Sequence, residues 1–71
     1  MRGVFMDFID KAKIRLKNWI AHNEHHNKEY EIFADQLEAA GKDESARHVR
    51  EMTALMAKSN ECLAKALQCL E

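Results

Sequence analysis

Between Ile9 and Ala40 an apolar side chain returns at alternating steps of three and four residues: Ile9, Ala12, Leu16, Trp19, then Tyr30, Phe33, Leu37 and Ala40. That period belongs to an α-helix, whereas a strand would alternate at every second residue. The repeat is interrupted at two consecutive positions in its middle, Asn23 and His26. A second run keeps the same period through Ala46, Val49, Thr53, Met56, Asn60, Leu63, Leu67 and Leu70. There is no proline and there are only two glycines, so neither run is broken from within.

Gly41 separates the two runs, and glycine ends helices because it enters the left-handed conformation without steric cost. Asp7 is placed to cap the first helix; Asp43 is expected to cap the second through its carboxylate, with Glu44 favourable in the first turn. The expected fold is all-α, a two-helix antiparallel hairpin forming one domain over residues 1–71. Helix 1 is expected over about 7–40, the turn at 41–43 and helix 2 over about 44–70. So short a turn forces antiparallel neighbours. Counting outward from it puts Asn23 opposite Cys62, and His26 opposite Ser59 and Asn60.

A chain of 71 residues buries a marginal core and commonly needs a metal, a staple or a partner subunit. Residues before about Ile14 have no counterpart in the second helix. Phe5, Phe8 and Ile9 would stand in water at roughly 1.5–3 kcal/mol for each unburied side chain. Ile14 and Ile32 also fall off the main seam. These five residues are the candidate oligomer interface, and a homodimer closing into a four-helix bundle satisfies them.

A formal net charge of −1 lacks the basic footprint of a nucleic-acid binder. The charge is uneven. Arg2, Lys11, Lys13, Arg15 and Lys17 make the first twenty residues basic, while Glu24, Glu29, Glu31, Asp35, Glu38, Asp43 and Glu44 make the middle acidic. These are either two solvated faces or a means of steering antiparallel copies together. No stretch approaches the roughly 18 apolar residues of a transmembrane segment. Arg2, Asp7 and Asp10 interrupt any signal-peptide core, so a cytoplasmic protein is expected. Cys62 and Cys69 stand roughly 10 Å apart along one helix, beyond the reach of a mutual disulfide. Free thiols fit a reducing compartment.

The stretch Trp19–Tyr30, WIAHNEHHNKEY, concentrates the chemistry. His22 and His26 are four apart and project from one helix face, a spacing that zinc sites use. His25 and Glu29 repeat it on a neighbouring face of the helix. Cys62 on the second helix adds a thiolate that suits zinc, nickel or cobalt. The order HNEHH is not the HExxH of metalloproteases, and no E-x-x-H of di-iron bundles occurs. The competing reading is a polar layer in which Asn23, His26, Asn27, Ser59 and Asn60 hydrogen-bond across the bundle and set its register. Trp19, Tyr30, Phe33, Met52 and Met56 read as core anchors. No carboxylate sits on the seam and no loop offers a cleft, so no catalytic residue is assigned and no enzyme is expected.

The pattern W-I-x-H-N-x-x-H-x-x-E-Y is carried by Trp19, Ile20, His22, Asn23, His26, Glu29 and Tyr30. With Ala40-Gly41-Lys42 and Asn60-Glu61-Cys62-Leu63 it resembles a small helical-hairpin domain of unknown function in anaerobic bacteria and archaea. The likeness spans about residues 14–71. It implies an association with nickel or cobalt handling at His22, Asn23, His26 and Glu29, and it implies no activity.

Three readings therefore stand at this point. The leading one is a non-catalytic binding or assembly module built as a homodimeric bundle. The second is a metal-binding accessory protein using His22, His26 and Cys62. The third is a peripheral membrane binder that lays Phe5, Phe8 and Ile9 with their flanking cations on anionic lipid.

Overall fold

A computed structural model describes residues 7–71. Phe5 lies outside them. Two helices account for the fold, α1 over Phe8–Ala39 and α2 over Asp43–Leu70, packed against each other as a hairpin. There is no strand among the described residues.

Asp7 opens α1 with extended backbone, and its carboxylate accepts the Asp10 amide at 2.9 Å. That contact satisfies one of the first-turn N–H groups that no helical carbonyl reaches. The other end closes through paired backbone bonds. Lys42 N–H donates to the Leu37 carbonyl at 2.8 Å and Gly41 N–H to the Glu38 carbonyl at 2.9 Å, with Gly41 at φ +79°. This is the Schellman arrangement, and it turns the chain back on itself within three residues. The expectation for α2 needs correcting. Lys42, not Asp43, occupies the capping position, and no side chain makes a cap hydrogen bond there. Asp43 is instead the first helical residue, where with Glu44 it puts negative charge at the positive end of the helix.

The face α2 turns to α1 follows the sequence repeat: Ala46, Val49, Thr53, Met56, Asn60, Leu63, Leu67 and Leu70 are each buried or half-buried. On α1 the row differs. Leu16, Asn23, Tyr30 and Leu37 are half-buried, but the positions between them are Ile20, Asn27 and Ala34. Trp19 and Phe33, expected in that row, are 50% and 51% exposed. The inward face of the helix is turned by roughly 50°, because one seam row is kept and the other gives way to the residue that follows it. Ala34 and Ala46 show the reason. Both are fully buried. Two methyl groups let the backbones approach closely near the turn, where a phenyl ring in place of Ala34 would hold them apart.

The rotation gives the hairpin two unlike faces. One exposes Glu24, Lys28 and Glu31 of α1 beside Ala57, Glu61 and Ala64 of α2. Nearer the turn this side is crossed by Arg50, which binds Asp35 at 2.9 Å and Glu38 at 3.2 Å. Those hydrogen bonds, to Asp35 first and then Glu38, raise the arginine pKa above its ordinary value. Part of the acidic middle is thus engaged within one chain. By the helical repeat the opposite face carries Trp19, His26 and Phe33 in one row of α1, and Met52, Ser59 and Ala66 in one row of α2.

Candidate functional site

The polar interruptions of the two repeats meet at the middle of the hairpin. Asn23 Nδ2 donates to Asn60 Oδ1 at 2.9 Å, and Asn60 Nδ2 donates in turn to the Ile20 carbonyl at 3.0 Å. One turn nearer the connection, Asn27 Nδ2 donates to the Thr53 carbonyl at 3.1 Å. The Thr53 hydroxyl, 8% exposed, is satisfied within α2 by the Arg50 carbonyl at 2.8 Å. Asn27 Oδ1 is buried and has no hydrogen-bond partner.

This layer holds Asn23, Asn27 and Asn60, and it differs from the expected one in two members and in register. Ser59 is exposed. His26 does not meet Asn60, because the rotation of α1 carries its ring to the flank, where the side chain is 36% exposed. The register also slides. Asn23 faces Asn60 where Cys62 was expected, a shift of two residues or about half a turn. Counting from the turn fails here because amide pairing, and not turn length, fixes the height at which the helices lock.

On that flank the histidines form a group of their own. His26 Nε2 lies 2.8 Å from His22 Nε2, with the rings edge to face at 84°. His26 Nδ1 lies 3.0 Å from Glu29 Oε1. A carboxylate only accepts, so that contact places a proton on Nδ1 of His26. In the neutral ring Nε2 is then a bare lone pair, and His22 Nε2–H donates to it. Tyr30 stacks on the other side of His26 at a centroid distance of 6.0 Å. Glu29 thus partners His26, three residues away, whereas the four-residue spacing in the sequence points to His25. That longer contact exists at 3.8 Å, on a histidine 73% exposed.

The remaining candidates are dispersed. Cys62 and Cys69 are exposed free thiols, and Cys62 is not gathered to the histidines. Among the described residues no group of three or more His, Cys, Asp or Glu side chains is arranged to hold a metal ion. Phe8, Ile9, Ile14 and Ile32 are 75%, 42%, 48% and 60% exposed. Ile14 and Ile32 lie roughly 100–140° round α1 from the Trp19–Phe33 row, so one flat contact does not cover both sets.

Residues 12–70 match a protein family described as a domain of unknown function, DUF8180. The chain belongs to the DUF8180 family. No curated protein and no solved structure matches it. The family assignment covers both helices, the asparagine layer and the histidine group, and begins just beyond the overhanging first turn of α1. No helix among the described residues is long and apolar enough to cross a membrane.

Proposed function

We propose that this DUF8180 domain is a non-catalytic assembly module that works as a homodimer, two hairpins closing face to face into a four-helix bundle. The observation that carries this reading is the unfinished core. Among the described residues no large side chain is fully buried; the fully buried ones are Ala34 and Ala46. The hairpin exposes 5675 Å², whereas a compact monomer of 8.2 kDa exposes roughly 4500 Å². The surplus, about 1200 Å², exceeds the roughly 800 Å² that one partner of a standard-sized interface covers.

The place for a second copy is the face that carries Trp19 and Phe33 with Met52, which is 40% exposed. It has large apolar side chains, with the Arg15 guanidinium lying over the Trp19 ring at 5.9 Å and Glu29 held by His26. The opposite face carries Glu24, Lys28, Glu31, Asp35 and Glu38, whose desolvation against a second copy would be costly. In such a bundle the Asn23–Asn60 pair holds each hairpin in register, so that both present the same face. A buried amide pair is a known means of specifying register at some expense of stability.

Sedimentation equilibrium of the full chain tests the reading. A dimer that persists at about 10 µM is expected. A chain that remains monomeric above about 100 µM, while unfolding cooperatively at a midpoint independent of its concentration, overturns it.

A further inference from the structure

We propose that His22 and His26 of one copy, together with the same pair of a second copy, form a divalent transition-metal site of four imidazole nitrogens at the centre of the dimer. The site rests on the self-association proposed above, because among the described residues one hairpin gathers no third ligand.

The first support is the distance between the two ring nitrogens. Nitrogens held 2.0–2.1 Å from one ion lie about 2.9 Å apart at a right angle and about 3.3 Å apart at a tetrahedral angle. His22 Nε2 and His26 Nε2 are 2.8 Å apart, so small side-chain rotations admit an ion between them. The second support is Glu29. By accepting from Nδ1 it holds His26 in the tautomer whose Nε2 lone pair points at His22. A carboxylate behind a histidine is the usual outer partner of a metal-bound imidazole, fixing its tautomer and raising its basicity. His22 needs only to carry its proton on Nδ1 for its own Nε2 to become a donor atom.

The third support is placement. His26 stands seven residues after Trp19 and seven before Phe33, midway along the open row, and close to the midpoint of α1. Two hairpins that overlap fully bring their middle levels together whether they run parallel or antiparallel. A twofold-symmetric contact on this face therefore brings each His26 near its mate, with Trp19 and Phe33 closing the site above and below. Tyr30 stacked on His26 limits water on the remaining side. Four imidazoles suit zinc, copper, nickel or cobalt and discriminate against calcium and magnesium, which take oxygen ligands. Cys62 is not a ligand in this arrangement.

The full chain titrated with Co²⁺ and then competed with Zn²⁺, with sedimentation equilibrium run on the same samples, tests the site. The expected result is one ion per two chains and a visible cobalt band without thiolate-to-cobalt absorption. His22→Ala and His26→Ala each weaken binding by at least about tenfold, and Glu29→Gln by about ten- to a hundredfold while keeping the helical circular dichroism. Cys62→Ser leaves binding unchanged. A dimer that binds neither ion more tightly than about 100 µM overturns the site and leaves the assembly reading standing. One ion per chain, or an intense thiolate band, also overturns it. A chain that is monomeric with and without metal overturns the assembly reading and the shared site together.

Discussion

Asn60 is the residue on which the packing of the two helices turns, and replacing it with alanine isolates its contribution. Its side chain makes two contacts with α1, accepting from Asn23 Nδ2 at 2.9 Å and donating to the Ile20 carbonyl at 3.0 Å. Each lost hydrogen bond costs about 0.5–1.5 kcal/mol net, and stranding the half-buried Asn23 donor adds about 1 kcal/mol. The expected loss is about 2–4 kcal/mol. A chain of this length holds about 4–11 kcal/mol in all, so the loss is a large fraction of it. At about 4–8 °C per kcal/mol the melting midpoint should fall by about 8–32 °C. The assay is thermal and urea unfolding followed by circular dichroism at one fixed chain concentration, since association shifts the midpoint. The double variant Asn23→Leu, Asn60→Leu is the control. With both amides gone nothing is stranded, and the hairpin should match or exceed the parent in stability. A loss below about 0.5 kcal/mol for Asn60→Ala, or a double variant as weak as the single one, would refute the reasoning.

Other substitutions probe the remaining features. Gly41→Ala meets no atom within 4 Å, so its cost is purely that of φ +79°, about 1–2 kcal/mol by equilibrium unfolding. Asn27→Leu removes a buried oxygen that has no partner along with one hydrogen bond, and should raise the urea midpoint. A lowered midpoint would mean that the amide–Thr53 contact outweighs the stranded oxygen. Phe33→Glu places a charge on the open face; sedimentation should show monomer with helical content retained, whereas Ile32→Glu on the back of α1 should leave the dimer intact.

Much of the site was visible in the sequence as an interruption and invisible as a pairing. Asn23 and Asn60 stand out because each breaks a run of apolar seam residues. That Asn60 takes Asn23 and the Ile20 carbonyl as partners depends on the slide of one helix along the other. No local spacing encodes that slide. The seven-residue step from Trp19 and to Phe33 points His26 inward. All three do share a row, but it is the row that α2 leaves open. The contact between Glu29 and His26 lay within reach of sequence reasoning, since residues three apart on a helix are neighbours.

The sequence by itself determined two helices, the stop at Gly41 and the apolar face of α2, because these follow from local rules. Glycine takes a positive φ, an aspartate caps an open N-terminus, and a step of three and four residues keeps side chains on one stripe. Only the tertiary structure decided which edge of the wider stripe on α1 meets its neighbour. Ile20, Asn27 and Ala34 border that stripe on one side, and Trp19, His26 and Phe33 on the other. Both sets satisfy the helical period equally. The choice falls to close packing, since the buried methyls of Ala34 and Ala46 admit an approach that bulky rings forbid, and to the two amides that must come within hydrogen-bond reach.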